Sequence, residues 1–417
     1  MDLAPCPFCH LPVPSSELEW HANNHFLDEH EQQRLASDLE LAQQIAFAPP
    51  SPPSLNSQVI SDLPFDLGFE EKVNCLINFQ SRSIFHKVEH GLMALLRKCL
   101  ELESDNTTSI LSGYVDHFQS LEYEDVGWGC GWRNIQMLSS HLLHQRQEEV
   151  KKVLFGGQGF IPDIPSLQRW LEIAWEKGFD EPGSEHFDGK IYGLKKWIGT
   201  TECAALLRSF GLKAMIVDFG PKEFESLYLS VPGSSAGVEG KSEGNGLKRR
   251  GIQVCGPMDR YVVKKIHGHS QAHSGVQEKS SSSSNITREN EGQQVLIDWI
   301  WNYFSDSNKP GNGHVIVSDK APLYFQHDGH SRTIVGIQIK HQRNGVHQHN
   351  LLILDPAHRT AALEKSLKEK VGWQKLIKRG VHTLKKPQYQ LCYVEPGIAS
   401  GEEMELLKTI SSVFLEL

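Results

Sequence analysis

The chain of 417 residues is 39% hydrophobic and 22% charged, with a formal net charge of −9. This composition is typical of a globular protein, and the length allows one large domain together with smaller modules. The acidic balance argues against a broad nucleic-acid or acidic-lipid surface, because such a surface needs a basic face.

The cysteine spacing and the length of the apolar runs indicate the cellular compartment in which the protein is expected. Two of the eight cysteines have metal-ligand spacing, which favours a reducing compartment over a disulfide framework. The first 14 residues lack the apolar core of a signal peptide. No run approaches the roughly 18 apolar residues of a membrane span. We therefore expect a protein of the cytoplasm, the nucleus or both, with no membrane partner.

The first 27 residues carry a compact set of metal ligands. The Cys-Pro-Phe-Cys turn at residues 6–9 offers two thiolates, and two histidines one helical turn apart follow it. This pattern predicts a structural zinc finger over residues 1–27, with Zn²⁺ bound by Cys6, Cys9, His21 and His25. A single finger reads about three base pairs. No basic linker or second finger accompanies it, which argues against nucleic acid as a partner.

A helix is predicted over residues 28–48, where a run of prolines stops it. Its segment 38–45 resembles a single-helix ubiquitin-interacting motif. In such motifs a small alanine lets the apolar patch of ubiquitin approach, and acids meet its basic rim. The predicted contact residues are Asp38, Leu39, Glu40, Leu41, Ala42 and Ile45. The alternative is a helix that packs back on the finger.

A proline-rich spacer, residues 49–66, leads to a second helical segment, residues 67–104. Apolar side chains recur there at intervals of three and four from Phe69 to Leu96, which predicts one long helix without a central breaker. This helix either projects as an arm or packs onto the core.

The remaining residues, 105–417, alternate helical and strand patterns. Helices are predicted at 164–177, 201–210, 296–304, 363–378 and from 402, and strands at 214–219, 333–339, 351–354 and 389–394. Residues 230–250 and 267–294 are Gly- and Ser-rich insertions with too little apolar content to order themselves.

Cys130 stands between two glycines and opens a helical pattern. A cysteine at a helix N-terminus is favoured as the thiolate, because unpaired N–H groups there stabilise negative charge, and the thiolate is the nucleophile. The setting is similar to the Cys-Gly-Ser-Cys-Trp sequence of papain-like nucleophiles. The alternative is a small, buried core cysteine.

A base and an orienting carboxylate follow late in the chain. His330 precedes the predicted strand 333–339, and Asp355 follows the strand 351–354. If the two strands pair in antiparallel fashion, the start of the first lies beside the end of the second. His330 would then bond to Asp355 through one ring nitrogen and take the thiol proton of Cys130 with the other. His358 is a competing base.

These segments resemble the zinc-finger-containing ubiquitin peptidase family, whose peptidase domain is related to the ubiquitin-fold-modifier-specific peptidases. The resemblance covers about residues 110–417 and is strongest at 127–136, 329–336 and 351–356. It implies that Cys130 is the nucleophile, His330 the base and Asp355 its orienting acceptor. The modifier-specific relatives have an Asp-Pro-His sequence. Ala357 stands where they have the histidine, which argues against His358.

The resemblance carries further implications for substrate contacts. Gln119 would assist the backbone N–H of Cys130 in stabilising the oxyanion, with His117 as an alternative donor. Asp180 and Glu202 would pair with the arginines of the ubiquitin tail. The finger and the segment 67–104 would bind ubiquitin as well.

The expected fold is α+β: a papain-like cysteine peptidase domain preceded by a small zinc finger and long helical segments. The expected function is hydrolysis of isopeptide bonds in polyubiquitin, with no cofactor for catalysis. By resemblance, long chains linked through ubiquitin lysine sixty-three are preferred. The alternatives are a peptidase for another ubiquitin-like modifier and a catalytically silent ubiquitin-binding adaptor.

Overall fold

The computed structural model describes residues 3–5, 12–14, 68–104, 106–145, 148–221, 284–306, 313–327, 329–341 and 347–417. The first two ranges form β1 (Leu3–Pro5) and β2 (Pro12–Pro14), which pair in antiparallel fashion. The predicted zinc ligands, the helix 28–48, the spacer 49–66 and the insertion 230–250 lie outside the described residues.

Helices and strands alternate from residue 69 to the end of the chain. The helices are α1 (Phe69–Phe79), α2 (Leu92–Glu101), α3 (Cys130–Gln145), α4 (Glu148–Val153), α5 (Ile164–Glu176), α6 (Glu181–His186), α7 (Thr200–Arg208), α8 (Ser284–Ser305), α9 (Thr360–Glu369), α10 (Trp373–Ile377) and α11 (Glu402–Leu406). The strands are β3 (Thr107–Leu111), β4 (Leu212–Gly220), β5 (Val315–Val317), β6 (Leu323–His327), β7 (His330–His341), β8 (His347–Leu354), β9 (Lys378–Gly380), β10 (Tyr389–Ile398) and β11 (Ser412–Glu416).

One nine-stranded sheet runs through the domain, in the order β11-β4-β10-β6-β7-β3-β5, with β8 also paired to β7 and β9 paired to β8. Most pairs are antiparallel, and the pairs β3–β5 and β4–β11 are parallel. The mixed helix-and-sheet architecture confirms the α+β expectation. None of the helices in the described ranges is long and apolar enough to cross a bilayer.

The antiparallel pairing of β7 with β8 is the one that the sequence predicts. Thr333 lies opposite Leu354 and Ile337 opposite Leu351. The start of β7, at His330, is therefore beside the end of β8, where Asp355 follows.

Helix α3 is enclosed by the sheet and by other helices. It contacts β6 and β7 as well as α5 and α7. Trp132, Ile135 and Leu138 are buried in one core with side chains of α5 and α7. Every residue from Gly131 to Leu142 is buried, so the polar side chains of this part of α3 are shielded from water.

The predicted single helix over residues 67–104 is wrong, because it is interrupted between α1 and α2. The connecting segment is bound elsewhere: Ser83 N donates to Ile161 O at 2.8 Å, and Gln80 Nε2 donates to Phe155 O at 2.8 Å. These tertiary bonds outweigh the helical propensity of the segment. Leu76 of α1 and Leu96 of α2 are buried in cores shared with residues beyond 105, so this segment packs onto the domain.

Three further boundaries differ from prediction. Helix α8 begins at Ser284, within the predicted insertion 267–294. The helix predicted over 363–378 ends at Glu369, because Lys370 and Gly372 adopt left-handed conformations that cap a helix. The last helix is short, and the chain continues into β11, which pairs with β4.

Candidate active site

Cys130 is the first residue of α3 and is half-buried. The turn before it is held by Asp125, whose carboxylate accepts from Arg133 Nη2 at 2.6 Å and from Leu121 N at 2.9 Å. The Asp125 carbonyl accepts from Gly129 N at 2.7 Å. This buried ion pair fixes the turn against the helix. A helix start held in this way favours negative charge at Cys130, because the helix dipole is positive at its N-terminus.

The wall behind the nucleophile explains the glycine that follows it. A Cβ at Gly131 would lie 2.7 Å from Ile198 Cγ1 and 2.8 Å from both Ile198 O and the Tyr324 hydroxyl. The Tyr324 hydroxyl donates to Ile198 O at 3.2 Å, and Trp197 Nε1 donates to Gly127 O. The segment Trp197–Gly199 therefore packs tightly against the turn that carries Cys130.

His330 and Asp355 meet as β7 and β8 place them. His330 Nε2 is 3.0 Å from Asp355 Oδ1, and Ala357 N donates to the same oxygen at 3.0 Å. Arg332 Nε donates to the other oxygen, Oδ2. Both oxygens of the Asp355 carboxylate thus accept hydrogen bonds. Because Nε2 of His330 bonds to Asp355, Nδ1 is the ring nitrogen that can bond to the thiol.

The three predicted catalytic residues shift one another's pKa values through their charges. Burial opposes ionisation of the Cys130 thiol, yet hydrogen bonds from His330 and Ser331 and the charge of His330 hold its pKa below the ordinary value. Burial likewise works against the imidazolium, but the Asp355 carboxylate raises the pKa of His330 to about 9. Despite burial, Arg332 and His330 keep the pKa of Asp355 well below its usual range. At neutral pH these shifts favour a thiolate–imidazolium pair.

His358 also lies close to Asp355. It is buried, and its backbone N donates to Asp355 O at 3.0 Å. The side chain that reaches both the thiol and the carboxylate is that of His330.

The two candidate oxyanion donors differ in whether the side chain still has an N–H group to donate. His117 is buried, with Nδ1 2.8 Å from Thr360 Oγ1 and Nε2 2.9 Å from Asp355 O, so its ring is committed on both sides. Burial also lowers its pKa to about 4. Gln119 accepts from Thr360 N through Oε1 at 2.8 Å, which leaves its NH₂ group as a possible donor.

Asp180 and Glu202 lie at helix starts. Asp180 is buried and accepts from Gly183 N at 3.2 Å as the N-cap of α6. Glu202 is buried in the first turn of α7 and accepts from Gly199 N at 2.6 Å. Each carboxylate thus has a local capping role, and contact with substrate arginines stays a prediction for both.

Sequence reasoning missed the polar residues that surround the triad. Arg332 could have been found from strand alternation, since it lies two positions after His330 and on the same face. Asn134 lies one helical turn after Cys130, and its partners Ser331 and Thr333 are on β7. No local pattern reports such long-range bonds.

Comparison with known proteins settles the family. A sequence profile described as peptidase family C78 matches residues 104–231 and 268–392. The chain belongs to peptidase family C78. The resemblance to zinc-finger-containing ubiquitin peptidases is confirmed: the Rattus norvegicus protein named "Zinc finger-containing ubiquitin peptidase 1" is 33% identical over 323 residues, covering 77% of this chain and 43% of that protein.

Shorter similarities extend to other relatives of this C78 chain. "Ubiquitin carboxyl-terminal hydrolase mug105" of Schizosaccharomyces pombe is 39% identical over 111 residues, covering 27% of this chain and 43% of that protein. "Ufm1-specific protease 1" of Mus musculus is 32% identical over 106 residues, covering 25% of this chain and 38% of that protein. The chain spans less than half the length of the curated relatives it matches.

Metal binding by this C78 peptidase stays a prediction. Cys6, Cys9, His21 and His25 lie outside the described residues, although β1 and β2 flank the segment that contains both cysteines. Within the part of the chain that the structure describes, no group of His, Cys, Asp and Glu side chains is arranged to hold a metal ion.

Proposed function

We propose that this chain is a deubiquitinating cysteine peptidase that hydrolyses isopeptide bonds in polyubiquitin. The observation that carries the proposal is the continuous contact from the Cys130 thiol through His330 to Asp355. The names of the rat and fission-yeast relatives, one a ubiquitin peptidase and the other a ubiquitin hydrolase, support ubiquitin as the substrate.

In the acylation step the Cys130 thiolate attacks the carbonyl carbon of the terminal glycine of ubiquitin. The carbonyl oxygen becomes an oxyanion, which the backbone N–H of Cys130 and the NH₂ group of Gln119 would stabilise. The tetrahedral intermediate collapses as the C–N bond breaks. His330, as imidazolium, gives its proton to the departing lysine amine, and a thioester remains on Cys130.

In the deacylation step a water molecule attacks the thioester carbonyl. Neutral His330 accepts the proton of this water, and collapse of the second intermediate expels the Cys130 thiolate. Asp355 stabilises the imidazolium in both steps and holds the ring through Nε2, while Arg332 holds the carboxylate.

Preference for long chains linked through lysine sixty-three belongs to the same proposal. The predicted ubiquitin-interacting segment 38–45 and the predicted zinc finger would add weak contacts to the catalytic one. Weak contacts on one tether combine through their effective concentration, so they favour substrates with several ubiquitins. When bound, zinc would hold the fold of the finger through Cys6, Cys9, His21 and His25.

An activity-based probe tests the proposal directly. Ubiquitin with a C-terminal propargyl group should form a covalent adduct with the wild-type chain and none with Cys130→Ala. An adduct that persists in the variant would remove Cys130 as the nucleophile.

The similarity to Ufm1-specific protease 1 favours one second candidate, a peptidase for another ubiquitin-like modifier. Parallel labelling with ubiquitin and Ufm1 probes separates the two, since each captures Cys130 only if its own tail enters the site. Ubiquitin binding without labelling by either probe would indicate a catalytically silent adaptor.

A further inference from the structure

A buried carboxamide, that of Asn134, lies between Cys130 and the strand that carries His330. Its Nδ2 donates to the carbonyl of Cys130 at 2.7 Å and to Ser331 Oγ at 2.9 Å. Its Oδ1 accepts from Thr333 Oγ1 at 2.7 Å. The side chain is fully buried, so these bonds do not compete with water.

The orientation of this amide is fixed by its partners. A carbonyl oxygen can only accept, so the NH₂ group must face Cys130 O. Both of its hydrogens are then used, one on the nucleophile residue and one on the strand that carries the base. Asparagine is also an unfavourable residue inside a helix, so helix formation does not explain its presence on α3.

The Ser331 hydroxyl takes its direction from the same amide. Because Ser331 Oγ accepts from Asn134, its own proton can be donated, and the Cys130 thiol and the Tyr324 hydroxyl are the two groups within its reach. The thiol of Cys130 is within reach of both the hydroxyl and the backbone N–H of Ser331. A hydroxyl that donates to sulfur favours the thiolate over the thiol.

We propose that Asn134 is a positioning residue of the reaction: it locks the start of α3 onto β7 and aims the Ser331 hydroxyl at the nucleophile. The thiol lies on α3 and the imidazole on β7, and the Asn134 amide bonds to the backbone of Cys130 on α3 and to Ser331 and Thr333 on β7. The inference rests on the proposed role of Cys130 as nucleophile.

The test compares Asn134→Leu, Ser331→Ala and the double variant with Thr333→Val as the matched control. Thr333→Val removes the bond to Oδ1 but leaves both donor bonds of Asn134 in place. The first readout is the pH dependence of Cys130 alkylation by iodoacetamide, which reports the pKa of the thiol and needs no substrate. The second is the split between kcat and KM for a fluorogenic ubiquitin amide.

We expect Asn134→Leu and Ser331→Ala each to raise the apparent pKa of Cys130 by about one unit and to lower kcat by about tenfold or more, with KM little changed. The double variant should be no worse than the more damaging single change, because both act through one hydrogen bond. Thr333→Val should leave the pKa of the Cys130 thiol unchanged.

A purely structural Asn134 would lower the melting temperature without moving the alkylation profile, and that result would overturn the inference. If Asn134→Leu does not fold, Ser331→Ala decides alone, and an unchanged thiol pKa refutes the proposal. If the chain lacks ubiquitin hydrolase activity but the alkylation profile shifts as expected, the proposed function fails and the positioning role stands.

Discussion

Alanine at position 131 tests whether the wall behind the nucleophile is as close as the structure places it. A Cβ there would lie 2.7 Å from Ile198 Cγ1 and 2.8 Å from the backbone oxygen of Ile198. Non-bonded carbon atoms prefer separations of about 3.5 Å or more, so the start of α3 has to move by about 0.8 Å. A backbone carbonyl cannot rotate aside as the end of a long side chain can.

A displacement of this size acts on catalysis more than on binding. Misplacement of a reacting group by about 1 Å costs on the order of 100-fold in rate. We expect Gly131→Ala to lower kcat for a fluorogenic ubiquitin amide by about 100-fold. KM should change by no more than about twofold, because the substrate still docks before the chemical step.

The control and the refuting result follow from the same geometry. Gly313→Ala should be silent, since a Cβ at Gly313 meets no atom within 4 Å. In an unobstructed helix, alanine stabilises by about 1 kcal/mol relative to glycine. A Gly131→Ala variant that is both more stable than wild type and fully active would therefore refute the tight wall.

Three further expectations concern charge and substrate length. The plot of kcat/KM against pH should be bell-shaped. Activity should fall at high pH as the imidazolium of His330 deprotonates near its raised pKa of about 9. It should fall at low pH as the Cys130 thiolate becomes protonated, at a pH below the ordinary pKa of a thiol. A single rise with pH and no alkaline fall would show that no ion pair forms. Arg332→Gln should lower kcat by about tenfold. It should also move the alkaline limb of the pH–rate profile to higher pH, because the charge of Arg332 opposes the positive charge of His330. Steady-state pH profiles check this, and an alkaline limb at the wild-type pH would contradict it. Removal of residues 1–66 should reduce cleavage of long lysine-sixty-three-linked chains by about tenfold or more in gel-based assays, with probe labelling unchanged; equal loss of both would mean that these residues are structural.

The start of a helix at Cys130 and the approach of His330 to Asp355 were predictable because each depends on a local pattern. A glycine-flanked cysteine before an apolar repeat indicates a helix start. Two short apolar runs joined by a polar loop indicate an antiparallel pair, which brings His330 to Asp355 although 25 positions separate them. Pairing rules were sufficient to bring His330 to Asp355, whereas the roles of Cys130, His330 and Asp355 were implied by the family resemblance.

The interruption between α1 and α2 was not predictable from the same rules. The apolar repeat continues through the break, and Ile84, which belongs to that repeat, is 88% exposed. What stops the helix is a set of bonds to distant residues, among them Trp170 Nε1 to Gln80 Oε1 at 2.9 Å. Periodicity carries no information about a partner 90 positions away.

When the Cys130 thiol is ionised, the site is a row of alternating charges: the guanidinium of Arg332, the carboxylate of Asp355, the imidazolium of His330 and the thiolate of Cys130. Burial penalises each of these charges, and each is tolerated because a neighbour of opposite sign lies in contact with it. The first three groups belong to β7 and the end of β8, which one register fixes. Only the thiolate comes from another element, so the joint between α3 and β7 is where this row is most easily broken. The buried bonds of Asn134 span that joint. For this reason a neutral amide, with no charge of its own, is expected to control the ionisation of the nucleophile.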